Sequence, residues 1–161
     1  MRELNDHERN MVAKIDEYGY FKLMVFDPEG NDPHFMYSVG FQQTHEQPEC
    51  IIIGLSRDLM EAMMDVLHDK LEKGLKLVDA LLIEDLLGGG FKCMAKTVKP
   101  ENLSRAYFNS ARWYNRYCGG TNDEFQAMQI IWPGAIDGLY PWQSEQMSAL
   151  QPLLCEPPAS P

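Results

Sequence analysis

Six residues, Cys50-Ile51-Ile52-Ile53-Gly54-Leu55, make a continuously apolar, β-branched run bounded by polar sequence, and they constrain the chain more than any other feature. A strand without polar alternation has no solvent face, so it must lie inside a sheet covered on both sides. The next segment supplies one cover. Ser56 is placed to cap a helix in which Leu59, Met60, Met63, Met64, Leu67 and Leu71 recur at helical intervals, and Gly74 ends it.

The remaining elements follow from the same signals. Asn5 or Asp6 caps a first helix, with Glu8 completing a capping box, Met11, Val12 and Ile15 as its apolar stripe, and Gly19 as its stop. Tyr20 to Phe26 and Phe35 to Phe41 read as hairpin strands around the turn-rich Asp27-Pro28-Glu29-Gly30-Asn31-Asp32-Pro33. In the second strand Phe35, Tyr37, Val39 and Phe41 share a bulky face. Met36, Ser38 and Gly40 share a nearly bare one, open to a flat ligand or a tightly packed helix. Residues 42–49 read as a polar loop, and 75–87 is ambiguous between strand and helix. Gly88-Gly89-Gly90 is a turn before a strand over 91–98. Pro100 opens a third helix with Leu103, Ala106, Tyr107, Ser110, Tyr114 and Tyr117 inward. Phe125 to Trp132 is the last strand, with Met128, Ile130 and Trp132 on one side.

This order lacks the regular alternation of a doubly wound sheet. It points to an α+β fold: a mainly antiparallel curved sheet or half-open barrel with about three packed helices. The hairpin, third strand and helix are loosely similar to the split barrel of flavin reductases. At 161 residues the chain fits one domain, residues 1–142, and 143–161, polar and then proline-rich, reads as a loosely held C-terminal tail.

Fourteen basic residues against 24 acidic ones give a formal charge of −10, which repels phosphate backbones and anionic lipid, so neither nucleic acid nor a membrane is an expected partner. The N-terminus has mixed charge and no apolar leader segment, and no apolar run approaches the length of a membrane span, so the expected location is cytoplasmic. Cys50, Cys93, Cys118 and Cys155 are widely spaced and read as free thiols.

No nucleotide or hydrolase motif is present: the glycine triplet precedes a strand, and Ser38 lacks the flanking pattern of a nucleophile elbow. His7, His34, His45 and His68 form no short-spaced pair, so no metal is expected. His45, near Glu46 and Glu49, has the residue type of a general base. Trp132, Asp137, Tyr140 and Trp142 combine stacking surface with polar tips, and with Tyr37 are expected to surround one concavity. The candidate ligand-binding set is therefore Tyr37, Ser38, Gly40, His45, Trp132, Asp137, Tyr140 and Trp142, with no catalytic residue assigned.

Four segments carry a family resemblance: Phe35-Met36-Tyr37-Ser38-Val39-Gly40-Phe41, Pro48 to Leu55, Gln129-Ile130-Ile131-Trp132-Pro133 and Asp137-Gly138-Leu139-Tyr140-Pro141-Trp142. In this order they resemble the bacterial domain of unknown function 4262 family, over about Asp16 to Trp142. The resemblance implies a bacterial or phage cytoplasmic protein and brings no catalytic residue with it. Ala135-Ile136 departs from the more charged turn typical of the family, and ten methionines are unusual.

Two functions stand against each other. The first, favoured by the acidic charge and the lack of a catalytic signature, is a binding or accessory module of an immunity, regulatory or defence-related kind. The second is a small-molecule enzyme or a flavin- or nucleotide-binding protein, with its pocket between the bare strand face and the C-terminal aromatics. A protein partner, a small ligand or a second copy in a homodimer is open to the chain, and no cofactor is identified.

Overall fold

The computed structural model describes residues 3–103 and 105–158, with 105 and 106 by backbone alone. Helix α1 (Asp6–Tyr18) starts at a complete Asn5–Glu8 capping box and stops at Gly19, whose φ of 93° closes the last turn. Strands β1 (Phe21–Val25) and β2 (Phe35–Val39) form the hairpin. A short helix α2 (Phe41–His45) leads to β3 (Glu49–Ile53), the apolar run, and Ser56 caps α3 (Arg57–Glu72). After β4 (Leu81–Ile83) and β5 (Cys93–Thr97) come α4 (Arg105–Tyr117), β6 (Ala127–Ile131) and α5 (Glu145–Leu150).

Among the described residues six strands make one open sheet in the order β1-β2-β3-β6-β5-β4. Every neighbouring pair is antiparallel except β3 and β6, which run parallel. The α+β class is thus observed, while the sheet is mixed and unclosed, and five α-helices rather than about three occur among the described residues. The additional helices are short, and such segments show too few turns for a periodic stripe.

The sheet is buried on both faces. Met36, Cys50, Ile52, Met128 and Ile130 pack with Met60, Met63, Met64 and Leu67 of α3. Phe35, Tyr37, Val39, Ile51 and Ile53 pack with Met11 and Ile15 of α1 and Phe108, Ala111 and Tyr114 of α4. Every residue of β2, β3 and β6 is buried, which is why the β3 sequence shows no polar alternation.

Four expectations are corrected. Phe41 leaves the bulky β2 face, because the chain turns into α2 at Gly40 and carries its ring to the α3 side. Leu59 is 36% exposed and lies off the α3 stripe. The inward face of α4 is built on Phe108, Ala111 and Tyr114, whereas Tyr117 is exposed; the Ala106 side chain lies outside the described residues. The segment from Gln143, expected as a loose tail, folds into α5 and is stitched to the sheet as far as Cys155, which bridges Val98; residues 159–161 lie outside the described residues. Two buried amides do the stitching. Gln129 accepts from Leu154 N–H at 2.8 Å and donates to the Pro152 carbonyl, and Gln151 exchanges two hydrogen bonds with the Trp132 backbone. Their full burial requires these partners.

Candidate functional site

The positive-φ stop at Gly19 turns the chain directly from α1 into β1, placing Tyr20 and Lys22 opposite α3. There Glu61, Asp65, His68 and Glu72 recur every three or four residues, a polar stripe beside the buried methionines. Lys22 Nζ donates to both Asp65 oxygens, at 2.9 and 3.0 Å, and Tyr20 Oη–H donates to the same carboxylate. Burial opposes ionisation of Asp65, but the hydrogen bonds from Lys22 and Tyr20 and the Lys22 charge hold its carboxyl below the usual range. Burial, with the neighbouring Asp65 carboxylate, pushes the Tyr20 phenol far above its ordinary value, so it remains a donor.

These three side chains lie along a groove of about 540 Å³, within the range of small-molecule sites, walled by Tyr18, Phe21 and His68 with Lys14 and Glu61 also lining it. Lys14 Nζ stands 5.4 Å from the Tyr18 ring centre, a cation–π contact. A larger depression of about 810 Å³ lies beside β5 and α4, but its Arg112 guanidinium is committed to the Leu103 carbonyl at 2.7 Å.

Behind the groove, His68 packs against two rings that also contact each other, with centroids 4.6 Å from Tyr20 and 6.2 Å from Phe41, which lie 5.0 Å apart. Its Nδ1 lies 2.9 Å from His45 Nε2, and its Nε2 lies 3.6 Å from Glu72 Oε1. Burial and the neighbouring His68 lower the His45 imidazole below its ordinary value. A Cβ at Gly19 would stand 3.0 Å from His68 Cε1, so the glycine also makes room for this ring.

The sequence-derived candidates divide among separate places. Tyr37 is buried against α4, its Oη accepting from Ser110 N–H at 3.0 Å, on the opposite sheet face from Trp132. Trp132 is core, its indole N–H donating to the Ile53 carbonyl at 2.7 Å. Asp137 is an exposed turn residue accepting from Leu139 N–H, while Tyr140 and Trp142 stack on each other at 4.8 Å. The single concavity expected from these five is therefore corrected: strand alternation sends Tyr37 and Trp132 to opposite faces.

Nor is the face of Ser38 and Gly40 open. Ser38 Oγ–H, Gly40 N–H, Phe41 N–H and Gln42 N–H all donate to the buried Glu49 carboxylate, at 2.8–3.4 Å. That carboxylate caps α2 from across the chain, because its N-cap is the side-chain-less Gly40. Burial pushes the Glu49 carboxyl up to about 7, against the opposing pull of the four donors. Only His45, of the sequence-derived set, belongs to the Tyr20–His68 cluster.

Sequence reasoning missed Tyr20, Lys22, Asp65, His68 and Glu72. The signal was the polar stripe on α3; the partners it meets are set by long-range pairing. Among the described residues, no helix is long and apolar enough to cross a membrane.

No curated protein and no solved structure matches the chain. A family model described as "Domain of unknown function (DUF4262)" matches residues 14–146, which include every groove and cluster residue named above. The chain belongs to that family.

Proposed function

We propose that this protein is a binding module that holds a compact, ring-bearing ligand with a polar head in the groove between α1, β1 and α3. The observation that carries the reading is the convergence of the Tyr20 hydroxyl, the Lys22 ammonium and the Asp65 carboxylate along an aromatic-walled groove. Such an arrangement offers a hydroxyl oxygen that accepts, a cation and an anion already held in place, so a ligand's polar head meets preorganised partners while its ring packs on Tyr18 and Phe21. Tyr20 is held protonated and Asp65 is paired, which suits recognition rather than proton abstraction. The free, mostly buried cysteines fit work in a reducing compartment, as an accessory protein of the bacterial cytoplasm would perform.

The test is a thermal-shift screen of ring-bearing amines, acids and zwitterions against the full chain, repeated on Asp65→Asn and Lys22→Met. Compounds that raise the melting temperature of the native chain and lose at least tenfold in affinity on both variants support the reading. Binders indifferent to both substitutions, or no binder in a screen of this class, overturn it.

A further inference from the structure

We propose that His45, His68 and Glu72 form a binding site for a divalent transition-metal ion, with zinc as the ion to test. The two imidazoles come from different helices: His45 is the last residue of α2 and His68 lies within α3. Glu72 follows one helical turn after His68 on the same face. Each residue offers a ligand atom within 4.8 Å of the others. Two nitrogens bound to one tetrahedral zinc stand roughly 3.3 Å apart, given metal–nitrogen bonds of about 2.0–2.1 Å. The 2.9 Å approach to His45 is made by His68 Nδ1 and the 3.6 Å approach to Glu72 by His68 Nε2, so a single His68 nitrogen serves the ion, and the three ligand atoms, now within 4.8 Å of one another, close to that spacing by side-chain movements of up to about 1.5 Å.

The donor set selects the ion class. Two imidazoles and one carboxylate suit zinc and its first-row neighbours, whereas calcium and magnesium prefer oxygen throughout. Preorganisation comes from the aromatic packing. Phe41 lies 5.6 Å from the His45 ring and stacks on His68 at an interplanar angle of 10°, while Tyr20 packs on both Phe41 and His68, with centroids at 5.0 and 4.6 Å. Exposure supplies the route in: the His68 and Glu72 side chains are 18% and 56% exposed. Three protein ligands at a solvent-facing site leave a coordination position for water or an added ligand. Spacing along the chain hides this arrangement, since His45 and His68 are joined only through β3 and three quarters of α3. It stands independently of the groove reading, because the metal alone is the probe.

The experiment is isothermal titration of zinc into the chelator-treated full chain, with bound metal counted after desalting. Expected are one zinc per chain and a loss of roughly a hundredfold or more in affinity for His45→Ala and for Glu72→Gln, beyond the effect of a supporting residue. Glu72→Gln alters a half-exposed side chain, so it keeps the test readable should His45→Ala fail to fold. Cys118→Ser and His7→Ala, both outside the cluster, are expected to leave affinity unchanged. Zinc binding that survives Glu72→Gln, that is abolished by Cys118→Ser or His7→Ala, or that does not occur overturns the site.

Discussion

Ser38 Oγ donates to Glu49 Oε1 at 2.8 Å and accepts from the Cys50 N–H at 2.9 Å, tying the end of β2 to the start of β3 through one hydroxyl. Glu49 is 1% exposed, and its carboxyl is raised from the ordinary 4.5 to about 7, chiefly by burial. A group raised in the folded state keeps its proton there while the unfolded chain releases it, so stability falls as pH rises. Its contribution is complete below about pH 4.5 and lost by about pH 7, amounting to about 3 kcal/mol at 1.36 kcal/mol per unit. Urea unfolding across that interval should show this slope, and Glu49→Gln should remove it. The substitution also points amide hydrogens at backbone N–H donors, at a cost of about 1–3 kcal/mol. An unchanged slope in the variant would refute the assignment.

Gly40 stands at the same junction with a φ of 109°, and a Cβ there would lie 3.1 Å from Ile15 Cγ2. Gly40→Val combines backbone strain with overpacking against α1, and should cost about 3 kcal/mol or more. Denaturant unfolding measures it; a loss below about 1 kcal/mol would mean that α1 moves aside freely.

How legible this molecule was in its sequence depended on whether an element declared itself locally. The Asn5–Glu8 box, the Ser56 cap and the β3 run were readable because capping and two-sided burial act within a few residues. Helix α2 was not, because its cap is Glu49, supplied by the next strand rather than by residue 40. The tail looked loose because its anchors, Gln129 and Gln151, are polar residues whose burial depends on partners about 20 residues away. The cluster shows both sides of this limit: the polar stripe of α3 could be read from spacing, but the pairing of Asp65 with Lys22 and of His68 with His45 could not.

The tail's fit against the sheet can be measured at Gly54. A Cβ on this residue would stand 2.2 Å from the Leu150 carbonyl oxygen, and φ there is 91°. Gly54→Ala must therefore push the end of α5 away, straining the paired Gln151 and Trp132. The expected loss is about 3 kcal/mol or more by chemical denaturation. Amide exchange should quicken at Gln151 and Leu154 in particular, and unchanged protection there would show the tail contributing nothing to the sheet.

The two tryptophans near the C-terminal end of β6 should respond differently. Trp132 is 6% exposed and bonded to Ile53, so Trp132→Ala should cost about 3–5 kcal/mol. Trp142 is half-buried and stacked on Tyr140 with an interplanar angle of 10°, so Trp142→Ala should cost about 1–2 kcal/mol and leave groove binding intact. Melting temperature and ligand affinity on the two variants check this. Loss of binding in Trp142→Ala would move the site to the Tyr140–Trp142 stack.

The groove itself makes the sharpest separation between structure and function. Asp65 is 57% exposed, so its ion pair with Lys22 is screened by water, and Asp65→Asn should change stability by less than about 1 kcal/mol. Tyr20 is 6% exposed, and Tyr20→Phe removes one donor while leaving the ring packed on Phe41 and His68, a loss of about 1 kcal/mol. A groove maintained only for folding would show no other consequence. A groove that recognises a polar head loses its anion in the first variant and, in the second, the hydroxyl that holds that anion and accepts from the ligand, so ligand affinity should fall about tenfold or more in each while the melting temperature drops by only about 2–4 °C. Measuring both quantities on the same preparations decides the matter: equal ligand affinity across native chain, Asp65→Asn and Tyr20→Phe would leave the convergence at Asp65 as packing alone.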